Sequence, residues 1–223
     1  MKELFEKINI SPKNLELYNL AFSHSSYVNE KNLKDDYERL EYLGDAVLEL
    51  VTSDYLYHHF DEEEGVLTKL RANYVCENAC FTYASELGFS KYIKVSHGEE
   101  KEGGRFKKVI LADIFEAFMG AIYLDLGFDT VKRVLLNIVT PYIENNGTVF
   151  LHDYKSELQE LVQTEKRTVH YELIEEKGPA HQKEFTMAVK IDEITYGIGI
   201  GTSKKEAEQE AAKNALSKLA SLD

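Results

Sequence analysis

The segment ERLEYLGDAVLEL, residues 38–50, carries acidic side chains at the spacing of an α-helix. Glu41 and Asp45 are four residues apart and project along nearly the same line, with Glu38 about one turn before them. No Lys or Arg lies on that line, so these acids would repel one another without a basic partner. The acids could simply form a solvated face of a surface helix, which is the ordinary explanation. Alternatively, they could form a surface that binds a cation.

A second pair of carboxylates, Asp113 and Glu116, lies in the segment KVILADIFEAFMGAIYLDLG, residues 108–127. Apolar residues surround this predicted helix on nearly all sides, which is typical of a buried helix. Burial of a lone carboxylate costs several kcal/mol unless the group is paired or binds a metal. An ion pair with a basic residue such as Arg71 would meet this requirement, and so would a metal ion shared with the first pair.

A shared metal ion requires Glu41 and Asp45 to face Asp113 and Glu116 across two packed helices. Four carboxylates without a histidine or cysteine companion favour a hard cation, so we expect Mg²⁺, with Mn²⁺ able to substitute, rather than zinc. Such a site can activate water and stabilise the negative charge of a phosphate undergoing hydrolysis. We expect no organic cofactor.

The period of the apolar residues divides the chain of 223 residues into two parts. Helical spacing continues to about residue 147 and includes a predicted helix over 63–87, on which Cys76 and Cys80 would be small core residues. The sequence Asn-Asn-Gly at residues 145–147 then indicates a turn or linker. We therefore predict an all-α domain over residues 1–147, a linker over 148–152 and a second domain over 153–222.

The second domain combines helical and strand-like patterns. A helical segment, DYKSELQELVQ, precedes three alternating segments and a final helix, which predicts a small α+β domain of order α-β-β-β-α. The alternation predicts an antiparallel sheet with one apolar face. That face would comprise Val169, Tyr171, Leu173, Phe185, Met187, Val189, Ile191, Ile194, Tyr196, Ile198 and Ile200.

The net charge of −13 argues against general attraction to nucleic acid, so any phosphate contact must depend on a few placed cations. Lys204 and Lys205 are candidates, because they open the last predicted helix at the end where its dipole disfavours cations. No apolar run approaches the ~20 residues that a membrane-spanning helix needs, and we expect no membrane partner. With two cysteines and no signal-like start, we expect a cytoplasmic location.

The first part of the chain resembles the ribonuclease III family. The resemblance lies in ERLEYLGDAVLEL and LADIFEAFMGAIYLD, supported in family order by AFSHSSYVNE, EGVLTKLRANYV and GEEKEGGR. It implies an all-α endonuclease domain that hydrolyses double-stranded RNA as a homodimer, leaving 5′-phosphate and 3′-hydroxyl ends with short 3′ overhangs. It also implies a part in ribosomal, messenger and transfer RNA processing.

The resemblance assigns roles to the carboxylates. It implies that Glu41, Asp45, Asp113 and Glu116 are the metal-binding and catalytic groups. Glu116 would matter most directly for the metal, and Asp45 would lie close to the nucleophilic water. Glu38 and Glu64 match acids that support the family's cleft or subunit interface. Gly44 would allow close approach of a neighbouring helix, either from the partner subunit or from the same one.

The second part resembles a double-stranded-RNA-binding domain in the segments DYKSELQELVQ, GPAHQKEF and GIGTSKKEAEQEAA. This resemblance implies that Lys204 and Lys205 contact phosphates across a major groove, and that His181 enters a minor groove. It further implies minor-groove contacts from one helix, through Ser156, Gln159, Glu160 and Gln163. Two rival functions remain at this point: a non-cleaving protein that binds RNA duplexes, and an unrelated metal-carboxylate hydrolase with an RNA module.

Overall fold

The structure is a computed structural model that describes residues 1–144, 148–151, 153–164, 166–179 and 183–220. It divides into two compact units, Met1–Leu151 and His152–Asp223. No helix in the described part of the chain is both long enough and apolar enough to cross a membrane.

The first unit is helical, as its apolar spacing predicts. Among its described residues, the only strand-like pairing is a single bridge between Ser23 and Lys94. Its helices are α1 (Lys2–Lys7), α2 (Leu15–Ala21), α3 (Ser25–Lys31), α4 (Glu38–His59), α5 (Glu64–Val75), α6 (Glu77–Leu87), α7 (His97–Lys101), α8 (Lys108–Leu126) and α9 (Phe128–Glu144).

Helix α8 forms the centre of this unit, and its neighbours include α2, α4, α6 and α9. Its residues from Ile110 to Ile122 are buried except for Asp113 and Glu116, which are partly exposed. Aromatic rings fill the space beside it, since Phe118 packs edge-on against Phe89 with ring centroids 5.0 Å apart. The prediction of a helix that is apolar on nearly all sides and therefore buried is confirmed.

Helices α4 and α8 approach each other closely at two glycines. A Cβ atom added to Gly44 would lie 1.8 Å from the carbonyl oxygen of Glu116, and one added to Gly120 would lie 2.3 Å from that of Leu40. Neither position has room for a side chain. The close approach at Gly44 therefore involves a helix of the same subunit, which answers the question that the sequence left open.

The helix predicted over residues 63–87 is two helices. The backbone of Cys76 is extended, with φ −68° and ψ 162°, and it separates α5 from α6. Cys76 and Cys80 therefore do not share one helix, although Cys80 is buried as predicted. The apolar period continues across the break because both helices pack on the same core, and for this reason the sequence pattern does not reveal it.

The second unit contains α10 (Tyr154–Thr164), β1 (Val169–Lys177), β2 (Glu184–Ile191), β3 (Ile194–Gly201) and α11 (Lys204–Leu219). The strands form one antiparallel sheet in the order β1-β2-β3, so the predicted α-β-β-β-α architecture is confirmed. Leu158 and Val162 of α10 share a core with Val189 and Ile191 of the sheet and with alanines of α11.

The predicted apolar face of this sheet is wrong in β3. Ile198 and Ile200 are 50% and 55% exposed, whereas Gly197, Gly199 and Gly201 are buried. The glycines lie beneath α11: a Cβ atom on Gly199 would be 2.2 Å from the nitrogen of Ala211. The helix packs so closely on the strand that only glycine fits between them, and the isoleucines consequently point to the other face.

Candidate active site

Both predicted pairs of carboxylates line a single open pocket on the first unit. Helix α4 contributes Glu41 and Asp45, and helix α8 contributes Asp113 and Glu116. The described residues that line this pocket are Tyr37, Glu38, Glu41, Tyr42, Asp45, Asp113 and Glu116. None of them is basic, and we call these residues the carboxylate pocket.

The helix contact at Gly44 lies at the level of these acids. Gly44 immediately precedes Asp45, and the backbone oxygen nearest to it belongs to Glu116. This close approach between α4 and α8 is therefore made by residues that carry, or adjoin, the pocket's carboxylates. This contact positions the acidic groups of one helix relative to those of the other.

Burial and repulsion between neighbouring acids raise the pKa of Glu41, Asp113 and Glu116. Burial, followed by the charges of Asp45 and Glu41, raises the pKa of Glu116 to about 8. Burial, followed by the charges of Asp113 and Glu38, raises the pKa of Glu41 to about 7. The pKa of Asp113 is also raised, mainly by burial. Such shifts are expected where acids share a site without a compensating positive charge.

The ion-pair alternative that the sequence allowed is wrong for Arg71. Its guanidinium donates to the hydroxyl of Ser53 at 3.3 Å, and Arg71 lines a different groove of the unit. The carboxylate pocket has no Lys, Arg or His among its described lining residues. Without a basic partner, acids held together at a partly buried surface are neutralised either by protons, as the raised pKa values of Glu41 and Glu116 indicate, or by a bound cation.

The donor set of the carboxylate pocket fits a magnesium ion. All four candidate ligands are oxygen donors, which hard cations prefer. As the described side chains are placed, no three of the His, Cys, Asp and Glu residues form a ready-made cage for an ion. Mg²⁺ does not need such a cage, because it usually keeps several waters and binds protein through one or two carboxylates together with substrate phosphates.

Two neutral donors contact the carboxylates of α8, and neither could be recognised as such from the sequence pattern. The hydroxyl of Tyr37 donates to Oδ2 of Asp113 at 3.0 Å, and the thiol of Cys80 donates to Oε1 of Glu116 at 3.6 Å. Burial, followed by neighbouring acids, raises the pKa of both donors, so each keeps its proton. Tyr37 directly precedes the acidic helix, which was the one signal for it in the sequence.

The two supporting acids lie in different places. Glu38 is exposed and lines the carboxylate pocket. Glu64 starts α5, accepts a hydrogen bond from the hydroxyl of Thr68 at 3.0 Å and lines a separate groove with Leu50 and Tyr57. The structure therefore does not bring Glu64 to the four carboxylates.

Apolar side chains extend along one side of α4 into this second groove. Tyr42, Leu50 and Tyr57 are 83%, 56% and 74% exposed. Large apolar groups spaced along one helix face are unusual on a solvated surface, and they mark surfaces that contact another molecule. Tyr42 also lines the carboxylate pocket, so this apolar face adjoins it.

The candidate RNA contacts of the second unit lie on α10 and at the start of α11. Of the α10 residues, Glu160 and Gln163 are exposed and Ser156 and Gln159 are partly exposed. Lys204 and Lys205 are exposed in the first turn of α11, where Ser203 caps the helix by accepting from the Glu206 N–H. His181 lies outside the described residues.

Comparison with known proteins gives matches over both units. Residues 14–142 match the family model described as "Ribonuclease-III-like", and residues 154–219 match "Double-stranded RNA binding motif". "Ribonuclease 3" of Onion yellows phytoplasma is 47% identical over 99% of this chain and 92% of that protein. "Ribonuclease 3" of Geobacillus kaustophilus is 50% identical over 100% of this chain and 92% of that protein.

Solved structures resemble the first unit. A crystal structure of the nuclease domain of ribonuclease III from Campylobacter jejuni is 36% identical, with a TM-score of 0.60, over 67% of this chain and 97% of that one. A second structure of that domain is 38% identical, with a TM-score of 0.59, over 62% of this chain and 95% of that one. Its title describes flexibility in a region involved in dimer formation.

Proposed function

The chain belongs to the ribonuclease III family and is an endoribonuclease that cuts double-stranded RNA, and we propose that it does so with Mg²⁺ held by the carboxylate pocket. The observation that carries this proposal is the meeting of four carboxylates in one pocket whose described lining residues include none that is basic. The 5′-phosphate and 3′-hydroxyl products with short 3′ overhangs, and the processing of ribosomal, messenger and transfer RNA, are typical of the family.

In this proposal, Glu41, Asp45, Asp113 and Glu116 would hold the ion, and Mn²⁺ would be able to replace Mg²⁺. When bound, the ion would supply Lewis-acid chemistry that makes water a better nucleophile and neutralises charge on the phosphate. Glu116 is the ligand whose charge most needs a neighbouring cation, because the metal-free protein raises the pKa of its carboxyl group to about 8. Asp45 would orient the attacking water and accept its proton.

The second unit binds the substrate, since it carries the double-stranded RNA binding motif. We assign Lys204 and Lys205 to phosphates across a major groove, and the α10 residues Ser156, Gln159, Glu160 and Gln163, with His181, to minor grooves. Recognition of this kind reads the shape of A-form RNA more than its sequence. A local pair of cations is compatible with the net charge of −13, because a phosphate contact depends on the charges next to it more than on the net charge of the chain.

We further propose that the enzyme is a homodimer formed through the apolar face of α4. The exposed Tyr42, Leu50 and Tyr57 support this assignment, and so does the Campylobacter jejuni structure whose title refers to dimer formation. In a two-fold dimer, each carboxylate pocket would act on one strand of the duplex. Glu64, which lines the groove beside this face, would then support the subunit contact. A cytoplasmic location belongs to the same proposal.

A cleavage assay with long duplex RNA tests the metal and the site together. The protein should cut in Mg²⁺ or Mn²⁺, and EDTA should stop the reaction. Glu116→Ala should lose cleavage while it binds duplex RNA as tightly as the unaltered protein, because the binding unit is separate. Glu144→Ala, in α9 and outside the pocket, is a control that should cut normally. Cleavage by Glu116→Ala at the normal rate would contradict the assignment.

A further inference from the structure

Tyr37 connects the two helices that supply the carboxylates, and neither the resemblance nor the acidic pattern gives it a role. Its side chain is only 5% exposed, and its hydroxyl donates to Oδ2 of Asp113 at 3.0 Å. The two residues are 76 positions apart in the chain. Tyr37 also lines the carboxylate pocket, so this hydrogen bond forms at the site itself.

Tyr37 is itself held in a fixed position from two sides. Its carbonyl accepts hydrogen bonds from the N–H groups of Leu40 and Glu41, both at 2.9 Å, which fix it to the first turn of α4. Its ring stacks on His24, with ring centroids 5.7 Å apart and an interplanar angle of 21°. His24 is fixed in turn, because Nδ1 accepts from the Ser26 N–H at 3.2 Å.

These contacts make a rigid link between a ligand on α8 and the start of α4. A buried tyrosine whose backbone is held by hydrogen bonds and whose ring is stacked has little freedom, so its hydroxyl fixes the carboxylate that it contacts. Because the hydroxyl of Tyr37 donates to Oδ2 of Asp113, the other oxygen, Oδ1, is left to accept a further partner. A carboxylate oriented in advance binds a cation at a lower entropic cost than one that must be ordered during binding.

We propose that Tyr37 is a positioning residue, whose hydroxyl holds Asp113 in the orientation that presents its other oxygen to the divalent cation. This inference rests on the proposed metal site. It predicts that loss of the hydroxyl weakens cation binding without removing a ligand, and that higher cation concentration compensates for the loss.

Tyr18 provides a closely matched control. It is also buried in the first unit, and its hydroxyl donates to a carboxylate, Oδ2 of Asp125, at 2.9 Å. Asp125 additionally accepts from the backbone N–H groups of Lys13 and Asn14, each at 2.9 Å, so it fixes a loop. Tyr18 and Asp125 do not line the carboxylate pocket. Tyr→Phe at either position removes one tyrosine–aspartate hydrogen bond, but only one of these bonds contacts a proposed ligand.

The experiment compares Tyr37→Phe, Tyr18→Phe and the unaltered full-length protein. Binding of Mn²⁺ to each protein without RNA is measured by titration calorimetry. The rate of duplex cleavage is then followed as a function of Mg²⁺ concentration at saturating RNA. We expect Tyr37→Phe to bind Mn²⁺ about 10-fold or more weakly, as is common when a partner of a metal ligand is lost, and to need correspondingly more Mg²⁺ for half-maximal cleavage. At high Mg²⁺ its rate should approach that of the unaltered protein, whereas Tyr18→Phe should match the unaltered protein in both measurements.

The outcomes separate the inference from the proposed function. If the unaltered protein binds no Mn²⁺ and needs no divalent cation, the metal site itself is refuted. If the unaltered protein binds Mn²⁺ and Tyr37→Phe binds it equally well, only the role of Tyr37 is refuted. Equal weakening in Tyr18→Phe and Tyr37→Phe would also overturn the inference, because the effect would then come from general destabilisation.

Discussion

Replacing Gly44 with alanine should both destabilise the first unit and stop its chemistry. The added Cβ atom would lie 1.8 Å from the carbonyl oxygen of Glu116, whereas ordinary contacts begin at 3.4 Å. The two helices would have to separate locally by about 1.6 Å to remove this overlap. No side-chain rotation can relieve it, because the atom that is contacted belongs to the backbone.

The expected loss of stability follows from two opposing effects. Overpacking a core typically lowers the free energy of unfolding by about 1–3 kcal/mol. We take the upper end of this range, about 3 kcal/mol, because the atom contacted belongs to a rigid backbone. Alanine regains about 1 kcal/mol over glycine within a helix. The net loss is therefore about 2 kcal/mol, which corresponds to a fall in Tm of roughly 4–8 °C for a domain of this size.

The effect on activity should exceed the effect on stability, because the displaced backbone carries Glu116 and adjoins Asp45. A displacement of about 1 Å in catalytic groups can cost about 100-fold in rate. We therefore expect Gly44→Ala to cut duplex RNA at least about 100-fold more slowly under conditions where it is still folded, and to bind duplex RNA normally. Calorimetric melting, cleavage rates and binding titrations measure these three quantities.

Gly65→Ala is the matched control for this experiment. Gly65 lies in α5, and a Cβ atom there would meet no atom within 4 Å. The control should melt at the same temperature or slightly higher, and it should cut at the normal rate. If Gly44→Ala shows the same behaviour as Gly65→Ala, the helices can separate without consequence and the proposed coupling between packing and catalysis is refuted.

Two further predictions concern charge. Because the pKa of Glu41 is raised to about 7 and that of Glu116 to about 8, the metal-free folded protein holds these protons more tightly than the unfolded chain does. Its stability should thus fall as pH rises through these values, and Mg²⁺ should remove much of the fall. Thermal melts over this pH range measure the effect. The same dependence of Tm on pH with and without Mg²⁺ would contradict the prediction. Lys204→Gln and Lys205→Gln should each weaken duplex binding at low salt and reduce the slope of log K against log salt by about one, whereas Lys213→Gln, on the same helix but paired with Glu210, should have a smaller effect. Equal salt slopes for all three variants would exclude specific phosphate contacts by the first two.

The sequence predicted the carboxylate pocket because helical periodicity is a local property. Glu41 and Asp45 share one helix face, and Asp113 and Glu116 share another, whatever the rest of the fold does. The remaining step, that the two faces meet, came from the cost of burying acids on an apolar helix and from the family resemblance. The contact between Tyr37 and Asp113 could not be predicted in this way, since it joins residues 76 positions apart and depends on where α4 begins.

The sheet shows where an alternating pattern becomes ambiguous. In β3, isoleucines and glycines alternate, so one face must carry Ile198 and Ile200 and the other Gly197 and Gly199. Hydrophobicity favours burial of the isoleucines, but the structure buries the glycines. The deciding factor is α11, whose alanines approach the strand so closely that a larger residue would be excluded, and a rule based on one strand contains no information about that helix.

The two units thus position their functional groups by the same kind of contact. At Gly44 and Gly120 in the first unit, and at Gly197 and Gly199 in the second, a helix approaches backbone directly and no side chain lies between. A contact through side chains can adjust by changing rotamers, whereas a contact between backbones has no such freedom. In the first unit it fixes the spacing of the carboxylates; in the second it fixes α11, and with it the lysines of its first turn, relative to the sheet. We therefore expect small residues at these positions to be required for function as well as for packing, and enlarging any of them should affect activity or RNA binding in addition to stability.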